Sequence, residues 1–269
     1  GYGLYIASSA DKNYADGGNN KAEYCEIYDN GSCGAAIVAG NRYGDPPVNA
    51  NNSIENSSVH DNGKNFIGKT QIDLAGSGIS IAGCDIYNGP YTAIQFALAN
   101  GRIENCSIHD INMNSTDMGA IYNGRDMSCL DNVVKNNHLF NMGYGKLWLP
   151  QYNSYYKGGG VFTDDGGSGM TVDGNIFGPN LNPDGFGFKL NGGMDNAVTN
   201  NIFIDTGMYV SVSEWATSHL NLKFNQSGME KYKNSWIALS ENKYWTDKYP
   251  VLKFAKKVGD ECPDFKNVD

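Results

Sequence analysis

The hydrophobic and polar positions of the chain repeat one short phrase at intervals of 22 to 37 residues. Each copy has small residues or Asn, then two apolar or aromatic positions, then Asp or Asn and often Gly. One copy is too short to bury its own apolar face, so it must stack on its neighbours. The pattern predicts an all-β chain, a single-stranded right-handed parallel β-helix, whose copies centre on Ile27, Val59, Ile86, Ile108, Leu139, Ile176 and Ile202.

The residues that precede the apolar pair predict a ladder inside the coil. Asn tolerates a positive φ and can hydrogen-bond to the Asn above it. Cys25, Cys84 and Cys106 stand two residues before the central apolar residue, where Asn137 and Asn200 stand in other copies. Neighbouring strands lie ~4.8 Å apart, which allows a Cys84–Cys106 disulfide. Buried free thiols in one inner column are the favoured interpretation.

The repeat ends near residue 214, where a Lys- and Trp-rich segment begins. We predict β-helix rungs over 1–213, a partly helical excursion packed on the β-helix over 214–261, and the start of a further rung over 262–269. Unpaired strand edges at both ends of the coil would be open to pairing with strands of other chains. We therefore expect the sequence to be an excerpt of a longer chain.

Composition narrows the function. The 269 residues carry 29 Asp and Glu against 20 Lys and Arg, a net charge of −9, with no basic stripe. We therefore expect no nucleic-acid partner. No apolar stretch approaches the ~20 residues of a membrane span, so we expect no membrane span. The six cysteines show no zinc-ligand spacing, so we expect no metal site built on them. The 17 Tyr and 4 Trp suit stacking on sugar rings.

Three segments align as consecutive rungs: GAIYNGRD, GGVFTDDG and GFKLNGGMD. In this register Ile121, Val161 and Phe188 share one column. Side chains alternate along a strand, so the neighbouring positions should face outward. The substrate-binding residues predicted on that outer face are Tyr122, Phe162, Lys189, Asn191 and Arg125.

Acidic side chains should gather on the same exposed groove wall. Repulsion between close carboxylates raises the pKa of one and leaves the other ionised, as a glycosidase requires. One rung step gives ~5–9 Å between them, which covers both retaining and inverting geometry. The predicted catalytic residues are Asp164, Asp165, Asp126 and Asp117.

Other interpretations of these residues stay open. Asp-Asp-Gly at a strand end is also a common turn device. Clustered carboxylates could instead bind Ca²⁺, although the main interpretation needs no cofactor. A polysaccharide lyase would use Lys189 and Arg125, with or without Ca²⁺, against a uronate carboxylate. A non-catalytic module would only hold glycans or span distance.

The chain also resembles a family. DMGAIYNGRDMS, NVVKNNHLFN, GGVFTDDGGSGMTVDGNIF, NGGMDNAVTNNIF and WTDKYPVL follow one another between about residues 84 and 253. This succession is similar to the bacterial right-handed β-helix proteins that include glycoside hydrolase family 141. The resemblance implies a secreted, cell-surface or periplasmic carbohydrate-active enzyme, of α-L-fucosidase or xylanase type, acting on a plant or microbial polysaccharide or oligosaccharide. It implies two catalytic aspartates: Asp164 or Asp165, and Asp117 or Asp126.

Two positions depart from the family pattern. Met127 stands where the family favours an aromatic residue, and Met194 stands where it has Arg. Loss of a stacking surface and of a cation indicates a different sugar, or a groove that binds without turnover.

Overall fold

The computed structural model describes residues 1–8, 17–66, 68–115, 117–143, 158–181, 185–211 and 230–257. In these ranges the chain forms many short strands. The strands are β1 Leu4–Ala7, β2 Lys21–Glu23, β3 Glu26–Tyr28, β4 Ala35–Ala39, β5 Asn52–Glu55, β6 Ser58–His60, β7 Ile72–Ser77, β8 Ile79–Ala82, β9 Asp85–Tyr87, β10 Ile94–Ala99, β11 Arg102–Glu104, β12 Ser107–His109, β13 Gly119–Gly124, β14 Asn132–Lys135, β15 His138–Phe140, β16 Gly159–Asp164, β17 Met170–Asp173, β18 Ile176–Phe177, β19 Phe186–Asn191, β20 Ala197–Thr199, β21 Ile202–Phe203 and β22 Gly207–Ser211.

The strands form three parallel sheets, and each strand pairs with the third one along the chain. Sheet A has the order β1-β4-β7-β10-β13-β16-β19-β22, sheet B β2-β5-β8-β11-β14-β17-β20, and sheet C β3-β6-β9-β12-β15-β18-β21. Each coil of the chain therefore adds one strand to every sheet. This is the parallel β-helix that the repeat predicts, and its apolar core lies inside the coil.

In sheet C the residues that face the interior of the coil differ in part from the predicted ones. Leu139 pairs with Phe177, and Phe177 pairs with Phe203. Ile176 and Ile202 are 36% and 56% exposed, so their predicted places in the inner column are wrong. Because side chains alternate, an inward Asn at the start of Asn-Ile-Phe places the Phe inside and the Ile outside.

The predicted Asn ladder is present, with one residue shifted. The backbone N–H of Cys106 donates to Oδ1 of Asn137 at 2.9 Å, and the N–H of Asn137 donates to Oδ1 of Asn175 at 2.9 Å. The N–H of Asn175 donates to Oδ1 of Asn201 at 2.8 Å, so Asn201 and not Asn200 occupies the ladder. Each amide satisfies a buried backbone donor of the preceding coil.

The cysteines of the described ranges are free thiols, and Cys84 and Cys106 are buried. This agrees with the favoured interpretation. Cys25 is exposed, which contradicts its predicted inner position. Its neighbour β3 is the terminal strand of sheet C among the described residues.

The turn between the strands of sheets B and C has one left-handed residue on each described coil. These residues have φ between 47° and 66° and are Tyr24, Asn56, Gly83, Asn105, Asn136, Gly174 and Asn200. Asn and Gly adopt this conformation at low cost, which explains why the chain uses so many of them.

A helical segment packs on the turns that join sheets A and B. It comprises helix α1 (Glu230–Glu241), helix α2 (Lys243–Lys248) and a 3₁₀ helix (Pro250–Lys257). Its buried residues form a second apolar cluster with β-helix residues, made of Ala99, Met127, Leu130, Trp236, Leu239, Trp245 and Leu252. The predicted ranges of the excursion and of the final rung, 214–261 and 262–269, include 214–229 and 258–269, which lie outside the described residues. Those boundaries stay a prediction.

None of the helices in the described ranges has the length and apolar character needed to cross a bilayer.

Candidate active site

Three neighbouring strands of sheet A build the candidate site on the outer face of the coil. Tyr122 of β13 pairs with Phe162 of β16, which pairs with Lys189 of β19. Gly124 pairs with Asp164. The predicted register of these three rungs is therefore the observed one.

Asp164 is held by three donors from different parts of the site. The hydroxyl of Tyr122 donates to Oδ2 at 2.9 Å, and Asn191 Nδ2 donates to Oδ1 at 2.9 Å. The backbone N–H of Asp165 also donates to Oδ1, at 2.8 Å. Burial and the neighbouring charge of Asp164 raise the pKa of Tyr122 above its ordinary range, so Tyr122 is a neutral phenol that orients the carboxylate.

Asp165 follows in a left-handed turn, with φ of 45°. Arg125 Nε donates to its Oδ2 at 2.5 Å, and Asn191 Nδ2 approaches its Oδ1 at 3.3 Å. Burial, with the charge of Asp164 next, raises the pKa of Asp165, while Arg125 opposes this shift. The charge of Asp164 therefore makes Asp165 harder to ionise.

The predicted exposure of this pair is wrong. Asp164 is 8% and Asp165 is 6% exposed. Donors from neighbouring rungs cover their oxygens, so the carboxylates lie beneath the groove surface.

The groups that reach the surface are two cations and one acid. The side chain of Arg125 is 69% exposed, although Asp165 fixes its Nε. Lys189 Nζ lies 3.8 Å from Oδ1 of Asp117, whose side chain is 51% exposed. Burial raises the pKa of Asp117 and the charge of Asp164 adds to the shift, while Lys189 and Arg125 oppose it. The structure thus brings Asp117 to the cluster.

Phe162 lies under the cluster and not on it. Lys189 Nζ is 4.2 Å from the centroid of its ring, and Tyr122 packs edge-on at 5.6 Å. Only 1% of Phe162 is exposed. The prediction that it binds substrate is wrong, because neighbouring side chains cover both the ring face and its edge; the ring instead supports the ammonium group.

Asp126 turns away from the cluster. It is 2% exposed, lies 3.0 Å from Arg42 Nη2, and accepts a hydrogen bond from the backbone N–H of Ser128 at 3.0 Å. Its predicted place on the exposed wall is wrong. Arg125 has φ of 56°, so the strand's alternation of side chains stops there and Asp126 faces another direction.

Sequence reasoning missed Tyr91. Burial raises the pKa of this half-buried tyrosine, and the charge of Asp117 adds to the shift. The sequence could have indicated Tyr91 through the adjacency of the rungs, because Gln95, four residues later, pairs with Tyr122.

The cluster lies on a continuous outer column that crosses all eight strands of sheet A. The register joins these residues in order: Tyr5, Ala36, Asp73, Gln95, Tyr122, Phe162, Lys189 and Tyr209. Adjacent members are ~4.8 Å apart, so the column runs across the whole of sheet A, although Ala36 and Phe162 are buried in it.

The residues do not fit Ca²⁺. The oxygens of Asp164 and Asp165 face N–H and O–H donors and a guanidinium, whereas Ca²⁺ needs about 6–8 oxygen ligands. Within the described ranges no group of three or more His, Cys, Asp or Glu is arranged to hold a metal ion.

The stacked three-strand coils, with a polar cluster on one outer face, define a right-handed parallel β-helix protein. The family model "Right handed beta helix region" matches residues 70–248. The chain belongs to this family. No curated protein matches it.

Two solved structures resemble the chain in fold. One is an alginate lyase from Paenibacillus sp. str. FPU-7, with 16% identity and a TM-score of 0.49, covering 71% of this chain and 64% of the lyase. The other is pectate lyase Pel9A, with 15% identity and a TM-score of 0.40, covering 83% of this chain and 64% of the lyase. The chain thus spans less than two thirds of the length of either neighbour. The assignment to glycoside hydrolase family 141 stays a prediction.

Proposed function

We propose that the protein is an exported carbohydrate-active enzyme that cleaves a uronate-containing polysaccharide by β-elimination. One observation carries the proposal: Arg125, Lys189 and Asp117 face the groove, while Asp164 and Asp165 have their oxygens occupied beneath it. Two cations with one accessible acid match the needs of elimination better than those of hydrolysis, which uses two carboxyl groups at the scissile bond.

Arg125 is suited to the substrate carboxylate. Its Nε is committed to Asp165, and its terminal nitrogens have no other hydrogen-bond partner among the described residues. A guanidinium presents such nitrogens as a planar fork that matches a carboxylate. Neutralising the carboxylate makes the adjacent C–H more acidic and stabilises the charge that develops when its proton leaves.

Asp117 and Lys189 are suited to the proton transfers. A carboxylate with a raised pKa is a stronger base while it is still ionised at neutral pH. Asp117 removes the proton α to the uronate carboxylate, the C–O bond to the leaving sugar breaks, and a C=C bond forms. The Lys189 ammonium gives a proton to the leaving oxygen. The proton on Asp117 then returns to Lys189 across the 3.8 Å gap, which restores both groups.

The test is the chemistry of the product. The full chain is incubated with polygalacturonate, alginate and a glucuronate polymer, and ultraviolet absorbance of the new double bond is followed. Asp117→Asn and Lys189→Met should each lower the rate at least about 100-fold, the ordinary scale of acid–base catalysis.

A matched control exists on another sheet, where Lys135 and Asp173 form an ion pair at 3.1 Å. Asp173→Asn should leave the rate unchanged. Unsaturated product at the wild-type rate from Asp117→Asn or Lys189→Met would contradict the proposed roles.

A glycoside hydrolase is the second candidate, favoured by the raised pKa of Asp165 next to Asp164. One protonated and one ionised carboxyl group is the division of labour that hydrolysis needs. Hydrolysis would give new reducing ends without ultraviolet absorbance, and Asp164→Asn or Asp165→Asn would abolish them. Full activity in both variants and in the double variant would exclude this role, and a chain that gives neither product would be a glycan-binding module.

A further inference from the structure

A cleft on the described surface lies away from the acidic cluster. It has a volume of about 430 Å³ and shares no lining residue with the candidate active site. Clefts of this size bind small molecules in many proteins. From its lining we infer a second binding site, for a neutral saccharide of one or two rings.

The floor of the cleft is the beginning of sheet B. Arg102, Val133 and Thr171 are register partners on β11, β14 and β17 and lie on its outer face. The turns before these strands add Asn100, Asp131 and Gly169. Three stacked coils therefore provide a rigid base.

The two walls come from segments outside the repeat, and they are fastened to each other. One wall is the loop with Pro46 and Pro47, and the other is Tyr244, Lys248 and Tyr249.

Asp45 joins these walls. It accepts hydrogen bonds from the backbone N–H groups of Lys243 and Tyr244 at 3.0 and 2.9 Å. Asn242 Nδ2 donates to the carbonyl of Gly44 at 2.8 Å. The walls are therefore held in place before a ligand arrives, which lowers the entropy cost of binding.

The charge of the cleft balances. Asp131 pairs with Lys248 and accepts a hydrogen bond from Tyr249 Oη at 2.5 Å. The other two charged residues of the lining are Arg102, whose Nη1 also lies 3.5 Å from Glu104 Oε1, and Asp195. A phosphate ligand would need an excess of positive charge, and a lipid would need an apolar lining. A neutral ligand rich in hydroxyl groups needs neither.

The free polar atoms suit hydroxyl groups. Asn49 Oδ1 accepts from Ser77 Oγ and from Asn100 Nδ2, at 2.8 and 3.1 Å. This leaves the amide nitrogen of Asn49 and the amide oxygen of Asn100 with no hydrogen bond among the described residues. A donor and an acceptor in the lining of one cleft can each bind a hydroxyl group of a sugar. The half-exposed ring of Tyr244 adds an apolar surface for the C–H face of a pyranose.

The inference is independent of the cleavage chemistry, so the test uses full-length protein carrying Asp117→Asn and neutral disaccharides. Cellobiose, xylobiose and lactose are titrated by isothermal calorimetry. We expect saturable binding of at least one, and a loss of at least about tenfold in affinity in Arg102→Ala and in Asp195→Gly. Gly keeps the left-handed turn of Asp195, whose φ is 54°. Thr171→Phe should fill the cleft and abolish binding.

Asp205→Gly is the matched control, since Asp205 has φ of 48° on a turn outside the cleft, and it should bind like the parent. Absence of saturable binding for all three sugars, or wild-type affinity in Thr171→Phe, would overturn the inference. Either result leaves the product assay for elimination unaffected.

Discussion

Replacing Tyr122 by Phe tests how the buried aspartate is held. The change removes the hydroxyl that donates to Oδ2 of Asp164 at 2.9 Å and leaves the ring in place. A hydrogen bond to a charged group contributes about 1.5–3 kcal/mol, and Asp164 is 8% exposed, so water replaces the lost donor poorly. We expect the free energy of unfolding to fall by about 1.5–3 kcal/mol.

Urea denaturation measures this loss, with the slope m expected to stay unchanged because the same surface is exposed on unfolding. The control is Tyr91→Phe, since Tyr91 is a half-buried tyrosine of the same groove with no side-chain hydrogen bond among the described residues. It should change the free energy by less than about 0.5 kcal/mol. A Tyr122→Phe effect no larger than the Tyr91→Phe effect would refute the conclusion that the phenol stabilises the Asp164 carboxylate.

Three further predictions test the ladder, the register and the electrostatics. Asn137→Ala leaves the N–H of Cys106 and the carbonyl of Ile103 buried without their partner. It should lower the free energy of unfolding by about 2–5 kcal/mol in urea denaturation, and Asn137→Ser should recover part of this loss. Equal stability of the two variants would contradict the ladder. Phe177→Ala should cost about 3–5 kcal/mol and Ile176→Ala less than about 1 kcal/mol, in the same assay; the reverse order would restore the alignment on Ile176. Because burial raises the pKa of Asp117 and Lys189 opposes it, NMR titration of the Asp117 carboxyl should show protonation beginning above the ordinary pH for Asp, and Lys189→Met should move the midpoint higher still. A midpoint that falls in Lys189→Met would contradict the electrostatic assignment.

Much of the site could be predicted from the sequence. The two-residue alternation within each strand fixed which residues of GAIYNGRD, GGVFTDDG and GFKLNGGMD share a column. Since parallel strands stack without offset, Tyr122, Phe162 and Lys189 had to be neighbours. The same reasoning placed Arg125 beside Asp165.

Predictions failed where the alternation of side chains along a strand stopped, and where the burial of a side chain decided its role. In Asn-Ile-Phe two apolar residues compete for one inward position, and only the ladder bond of Asn175 decides in favour of Phe177. The burial of Asp164 and the shielding of Phe162 depend on side chains from other rungs, which no single segment encodes.

The sequence by itself determined the coil, its three-rung register and the gathering of acids with cations, because stacked repeats turn periodicity directly into proximity. The tertiary structure decided what each charged group faces. In the folded chain Asp126 faces Arg42, and Asp164 and Asp165 lie beneath Tyr122 and Asn191. Asp45 joins the helical segment to its loop, which forms the cleft. Those outcomes follow from left-handed residues, which interrupt the alternation of side chains, and from contacts between residues as far as 203 positions apart. A local sequence pattern records neither.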